Sequence, residues 1–231
     1  MWISWNDLPD SMKNEQVRPY YEKLKVKRGS LIVKRGFDIL VSLVMLILLS
    51  WLFLILAVAI KLDSRGPVFY RQVRVTTGNR DFRIFKFRTM VNNADKIGSL
   101  VTTGNDARIT RVGARLRKCR LDEIPQLLNI LKGEMSFVGT RPEVRKYVDR
   151  YSDEMMATLL MPAGVTSLAS ISFKDEDELI DEYTMKGMSV DDAYMEKVLP
   201  EKMKFNLEYM NQFGFFQDIR LMIKTFVSVI K

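Results

Sequence analysis

The chain has no histidine and one cysteine among 231 residues, and both shortages narrow its chemistry. Without imidazole there is no Ser-His-Asp triad, no Cys-His pair and no His-ligated zinc or iron centre within one chain. A single thiol excludes an intrachain disulfide and suits a reducing compartment. Cys119 stands beside Arg117 and Arg120, surroundings that can activate a thiol, but a small, partly buried side chain is the simpler expectation. Carboxylates, lysine, arginine, hydroxyls and a hard metal ion remain for catalysis. That set suits phosphate chemistry. The net charge of +8 and a pI near 9.5 call for an anionic partner: nucleic acid, a membrane surface or a phosphorylated substrate.

Hydrophobic residues make up 47% of the chain, enough for a core, but they are spread unevenly. Residues 1–30 are polar and mixed in charge, with Trp2, Trp5, Tyr20 and Tyr21. They read as an N-terminal arm, helical in part and lying on a membrane surface. No cleavable signal is evident, because the apolar run starts late and is too long for a signal core. Phe37–Ile60 holds one charge, Asp38, and two serines, Ser42 and Ser50, in 24 residues. As one helix it would reach roughly 36 Å, enough to cross a hydrocarbon core of about 30 Å. Upstream stand six basic residues (Lys23, Lys25, Lys27, Arg28, Lys34, Arg35) and downstream five (Lys61, Arg65, Arg71, Arg74, Arg80). Such balance gives no inside–outside asymmetry. A helix that enters and turns back keeps both clusters on one side, and Ser50 is placed to bond to a carbonyl one turn earlier and bend it there.

Pro67–Arg88 reads as a β-hairpin turning at Gly78-Asn79, and a loop with Gly98, Gly104 and Asn105 follows. Thr110 fits the cap of a short basic helix containing Val112, Leu116 and Arg117. Leu121–Gly133 reads as one helix, with Asp122 as N-cap, Pro125 in the first turn and Gly133 as terminator. A further helix is expected near Glu143–Leu160, followed by an apolar loop, and a solvated acidic helix opens within Asp175–Glu182. Phe215–Lys231 has apolar residues at helical spacing and suits either a membrane interface or a core.

Asp122 and Glu123 are the first candidates for chemistry. Read alone, they cap a helix and complement its dipole. The same position also serves catalysis, because a helix N-terminus draws phosphate and Arg115, Arg117, Lys118 and Arg120 crowd the approach. There an aspartate is placed to attack phosphorus, and a neighbouring carboxylate to hold Mg²⁺. Ser136–Pro142 presents Arg141 from a tight loop, which suits bidentate phosphate binding, although a lone loop arginine is usually a surface charge. Lys86 and Arg88 end the second hairpin strand, where basic residues also protect sheet edges.

Taken in order, these segments resemble the bacterial sugar transferase family, the monotopic phosphoglycosyl transferases. The likeness is carried by Lys34–Asp38, Gly66–Phe69, Phe85–Met90, Leu121–Leu127, Asn129–Ser136 and Phe137–Gly139. It covers about residues 31–231 and leaves the arm outside. The resemblance implies a mainly helical α+β fold: residues 31–62 as a re-entrant membrane helix, and 63–231 as a compact cytosolic catalytic domain with a small hairpin and amphipathic interfacial helices. It implies a ping-pong reaction at the bacterial inner membrane. Asp122 takes the phosphosugar from a nucleoside diphosphate sugar, usually a UDP-sugar, and releases UMP. Polyprenyl (undecaprenyl) phosphate then accepts it as a polyprenyl diphosphate sugar. Glu123 is implied as the carboxylate associated with Mg²⁺ alongside Asp122, and Arg117, Arg141, Lys86 and Arg88 as phosphate-handling residues.

Three positions depart from the family pattern. Ser50 precedes Trp51 where a Ser-Pro pair is usual, Thr140-Arg141-Pro142 replaces Pro-Arg-Pro, and Ala163-Gly164 replaces Pro-Gly. The last lies in a loop implied to help choose the sugar, so the sugar is left open, as are the glycan pathway and whether the protein forms a homodimer. Two rival readings are a non-catalytic membrane-anchored scaffold derived from the family, and a nucleic-acid binder, for which no recognisable binding fold is present.

Overall fold

The computed structural model describes residues 2–94, 106–173 and 176–230, so the expected loop glycines Gly98 and Gly104, with Asn105, lie outside the described residues. The architecture is mainly helical α+β. Helix α1 (Arg18–Val26) leads into α2 (Arg28–Leu48), α3 (Ser50–Asp63) and an antiparallel hairpin of β1 (Phe69–Thr76) and β2 (Arg80–Phe87). Then come α4 (Arg111–Lys118), a 3₁₀ segment at Leu121–Gln126, α5 (Leu127–Lys132), β3 (Met135–Val138) and α6 (Arg145–Val148). Another 3₁₀ segment (Met155–Leu160), β4 (Ala163–Thr166), α7 (Leu168–Ser172), α8 (Glu176–Met185) and α9 (Val190–Ala193) follow. A π-helical turn (Tyr194–Val198), α10 (Leu199–Gln212) and α11 (Phe215–Ile230) complete the chain.

The N-terminal arm is part of the body. Leu8, Met12, Val17 and Tyr21 are buried in one cluster with Val75, Val148, Met156 and Leu159. Trp2 and Trp5 pack their rings on Tyr21. The expected boundary at residue 30 therefore falls inside α2, and the arm buries apolar surface that the rest of the chain would otherwise expose.

Helix α2 is patterned inside out. Its polar residues Lys34, Asp38 and Ser42, spaced four apart on one face, are buried, whereas Ile39, Leu40, Leu43, Val44, Ile47 and Leu48 are exposed. The exposed apolar surface continues on α3 with Trp51, Leu54, Ile55 and Val58. The two helices meet at Leu49 with a bend of 62°. At the break the Ser50 hydroxyl donates to the Ile47 carbonyl at 2.8 Å. This is the back-bond expected of Ser50, and it supplies a bend without proline. Among the described residues no single helix is long and apolar enough to cross a membrane, though the bent pair together meets length and composition.

The hairpin turns at Gly78 (φ 69°) and Asn79 (φ 56°), both left-handed, the conformation that Gly-Asn supplies at low cost. Thr110 caps α4, its hydroxyl accepting from the Gly113 amide at 3.0 Å. The expected single helix over Leu121–Gly133 is instead two pieces. Pro125 has no N–H to give an i→i−4 bond, so the first turn tightens to 3₁₀. Arg120 occupies the position before it with φ 53°, and Asp122 sits within the turn, so it is not the N-cap. Gly133 does terminate the second piece, at φ 82°.

The helix expected near Glu143–Leu160 is broken. Only Arg145–Val148 is α-helical; the chain then turns through Arg150 and Tyr151, whose amides donate to the Tyr147 and Val148 carbonyls, before the 3₁₀ segment Met155–Leu160. The apolar stretch after it is β4, paired parallel with β3 in the register Met135↔Ala163. The two strands meet closely at glycines. A Cβ on Gly139 would fall 2.3 Å from the Pro162 carbonyl oxygen, and one on Gly164 would fall 2.2 Å from the Gly139 nitrogen. Cys119, expected to be partly buried, is exposed. Helix α11 has two characters: Asp218 and Leu221 are buried, while Phe216, Ile223, Phe226 and Val227 are exposed.

Candidate active site

The residues singled out around Asp122 come together on one side of the hairpin. Side chains alternate along β2, and Phe82 and Ile84 turn inward, which puts Lys86 on the same face. The 3₁₀ segment lies against that face, held by Asn129. The fully buried Asn129 carboxamide accepts from the Phe85 amide at 2.9 Å and donates to the Arg83 carbonyl at 2.9 Å and to Glu134 at 2.7 Å. It is the bracket that seats the carboxylate pair on β2, a role the motif alone does not reveal.

Glu123 is pinned. Its Oε1 accepts from Lys86 Nζ at 2.8 Å and lies 3.5 Å from an Arg141 guanidinium nitrogen. Burial by itself would raise this carboxyl, but the Lys86 and Arg141 charges, the lysine hydrogen bond and Arg120 overcome it and hold the pKa at about 2. Asp122 is treated differently. Burial pushes its pKa up and the neighbouring Glu123 charge adds to that, against the pull of Lys86 and Arg117. Among the described residues no cation is within ion-pair distance of Asp122. Lys86 is destabilised as a cation by burial, partly offset by Glu123. Arg141 is held firmly protonated, chiefly by Glu123.

The two carboxylates are thus unlike. One is a fixed anion in a cationic clamp; the other is half-buried, unpaired and bordered by positive charge. Such an arrangement could serve a nucleophile beside an electrostatic anchor.

Arg88 is not part of it. Its guanidinium is buried and donates to the Ser64 and Arg65 carbonyls at 2.6 and 3.0 Å and to the Ser64 hydroxyl at 3.0 Å. It closes the C-terminal end of α3, where free carbonyls favour a cation. Ser50 lies at the helix break, in the apolar surface away from the pair. Lys34, Arg35 and Asp38 turn out to be joints. Lys34 Nζ donates to the Val138 carbonyl at 2.7 Å, Arg35 donates to the Leu131 carbonyl at 2.8 Å at the end of α5, and Asp38 accepts from the Phe137 amide at 3.2 Å. Charges spaced by helical turns at the start of an apolar run are the signal that could have found them.

Among the described residues no cluster of three or more Cys, Asp or Glu residues suits a metal ion. Two adjacent carboxylates nevertheless fit Mg²⁺, which is commonly held by one or two carboxylates with water and substrate phosphates. Both cations on Glu123 go to Oε1, which leaves Oε2 for such a ligand.

The family model of the bacterial sugar transferases matches residues 29–231. The chain belongs to the bacterial sugar transferase family. It is 37% identical over 201 residues to a UDP-N-acetylgalactosamine-undecaprenyl-phosphate N-acetylgalactosaminephosphotransferase of Aeromonas hydrophila, covering 86% of this chain and 44% of that protein. It is 35% identical over 224 residues to an undecaprenyl-phosphate glucose phosphotransferase of Komagataeibacter xylinus, covering 94% and 38%. An exopolysaccharide production protein, ExoY, of Rhizobium meliloti is 33% identical over 211 residues, with 85% and 84% covered. The chain therefore spans less than half the length of the first two relatives and most of the third. The family match begins within α2 and omits the arm, although the arm's side chains complete the transferase core.

Proposed function

We propose that this chain is a phosphoglycosyl transferase that moves a phosphosugar from a UDP-sugar to polyprenyl phosphate. The observation that carries the reading is the contrast within the pair, with Glu123 fixed as an anion by Lys86 and Arg141 and Asp122 unpaired beside them. In the first half-reaction an Asp122 carboxylate oxygen attacks the phosphorus that bears the sugar. The bond from that phosphorus to the bridging oxygen breaks, and UMP leaves with the electron pair. In the second, a phosphate oxygen of polyprenyl phosphate attacks the aspartyl phosphorus, giving polyprenyl diphosphate sugar and restoring Asp122. Arg117 and Arg141 offset charge on the phosphates, and Lys86 keeps Glu123 ionised and lowers the cost of ionising Asp122. Mg²⁺ held by Glu123 and Asp122 would neutralise phosphate charge. The relatives' names, which specify UDP-sugars and undecaprenyl phosphate, support the choice of substrates.

The same reading places the chain on the cytosolic face of a bacterial inner membrane, with α2 and α3 as a re-entrant pair. Two features support this. A helix that buries lysine and aspartate while exposing leucine, valine and isoleucine suits an apolar solvent. The arm before α2 and the body after α3 share one core, which favours an arrangement with both ends of the pair on the same side. The exposed apolar side of α11 suits the membrane interface. The decisive experiment is UMP release from a screen of UDP-sugars by the detergent-extracted protein. Asp122→Asn should stay folded and membrane-bound and release none, and normal turnover by that variant would refute the assignment.

A further inference from the structure

Two residues beyond Arg141 lies a buried carboxylate that the proposed reaction does not use. Glu143 is 6% exposed. Its Oε1 accepts from the Tyr194 hydroxyl at 2.7 Å and lies 3.3 Å from Lys202 Nζ, while its Oε2 is 4.0 Å from an Arg74 guanidinium nitrogen. Lys202 also donates to the Tyr194 oxygen at 2.9 Å and meets Glu176, at the start of α8, at 3.3 Å. The main chain is gripped as well. The Val75 amide donates to the Glu143 carbonyl at 3.0 Å, and Arg74 donates to the Pro142 carbonyl at 3.0 Å. Tyr194 opens the π-helical turn that joins α9 to α10, a rare widening that recurs at functional sites. The network thus reaches the Arg141 loop from three elements: β1, the π turn and α10.

A buried ion pair is weak support for stability, since apolar replacements often do as well, whereas breaking one partner is costly. A cluster of this kind is better explained by the geometry it enforces. Arg141 needs that enforcement. Its side chain is 34% exposed and reaches Glu123 at 3.5 Å, so its direction depends on the backbone of residues 139–143. We infer that Glu143, Tyr194 and Lys202 are positioning residues that fix the Arg141 loop so that its guanidinium meets Glu123 and the phosphate site. The inference rests on the transferase reading, in which Arg141 handles phosphate.

The test uses the full chain in detergent, with Lys202→Met, Lys202→Arg and the exposed control Lys204→Met. Hydrogen exchange of amides 139–145 should speed up by roughly tenfold or more in Lys202→Met and stay unchanged in the control. UMP release should fall by about 10- to 100-fold in kcat/KM, as expected for misplacement of a positioning group. Lys202→Arg should restore most of it. In an Arg141→Gln background, Lys202→Met should cost less than about twofold more, because its target is already gone. Equal cost in both backgrounds, or unchanged exchange at 139–145, would overturn the inference. Absence of UMP release by the wild-type protein would instead refute the transferase reading, and the exchange result would still decide whether Lys202 holds the loop. If Lys202→Met does not fold, Tyr194→Phe, which removes one hydroxyl, takes the same measurements.

Discussion

Replacing Lys86 with methionine removes the cation nearest Glu123 while keeping an aliphatic side chain of similar length. In the wild type Glu123 has its pKa lowered from 4.5 to about 2, worth about 3 kcal/mol at roughly 1.4 kcal/mol per unit. The sign follows from the direction of the shift. A carboxylate whose folded pKa is depressed contributes stability that is fully present above pH 4.5 and is lost as pH falls toward 2. Without Lys86, burial still pushes the carboxyl up, and Arg141 at 3.5 Å offsets only part of it. Lys86→Met should therefore cost about 2–3 kcal/mol near neutral pH, the range for removing one partner of a buried pair that keeps a second cation. The gap should narrow as pH falls to 3, where the variant's Glu123 takes up a proton while that of the wild type is still mostly ionised, and it should close only toward pH 2. Thermal melts of both proteins from pH 3 to pH 8 in a nonionic detergent measure this. A gap of constant size across that range would mean that the lysine stem, not its charge, does the stabilising, and no gap at all would refute the clamp.

Three further outcomes are expected. Burial raises the Asp122 pKa above its ordinary 3.8, so the acid limb of kcat/KM for UMP release should lie above pH 3.8 and move higher in Arg117→Gln; a limb at or below 3.8 contradicts this. Arg88→Gln should lower stability by about 2–4 kcal/mol through lost charge-assisted bonds to the end of α3, yet leave turnover per folded molecule within about threefold, and loss of turnover at unchanged stability would return Arg88 to the site. In a Cys119→Ser background, single cysteines at Glu15 and Lys204 should both resist an impermeant maleimide in intact cells, whereas labelling of one alone would mean that α2 and α3 cross the bilayer.

What could be read from the sequence was local. Gly78-Asn79 specifies a left-handed turn, Thr110 a cap and Gly133 a helix stop within a few residues of themselves, and each performs that role here. The nearness of Lys86 and Arg141 to Glu123 could also be anticipated, although 37 residues separate Lys86 from Glu123, because an ordered set of motifs stood in for the missing distances. The failures have physical causes. Lys86 and Arg88 look alike at the end of a strand and alternation would put both on one face, but β2 ends at Phe87 and the Arg88 guanidinium bonds instead to Ser64 and Arg65 beyond α3. Strands β3 and β4 are four residues each and pair in parallel across a long connection, too short for a period to show. Asp122 reads as an N-cap until Pro125 tightens the turn around it.

The bent helix pair shows how an ambiguous sequence argument gains force from packing. Six basic residues against five cannot orient a helix, and Ser50 without a following proline is a modest reason to bend one. Both observations lean toward entry and return, but neither carries much weight alone. The fold adds a constraint that no charge count contains. Val17 and Tyr21 precede the apolar pair, Val148 and Met156 follow it, and all four are buried in one cluster. A crossing helix would pull that cluster apart across about 30 Å of hydrocarbon and expose Leu8, Met12, Val17 and Tyr21 to water. At roughly 1.5–3 kcal/mol for each large apolar side chain, the loss for these four rivals the whole stability of a typical domain, about 5–15 kcal/mol. If the pair enters a bilayer, the core shared by the arm and the body would therefore hold both of its ends on one side.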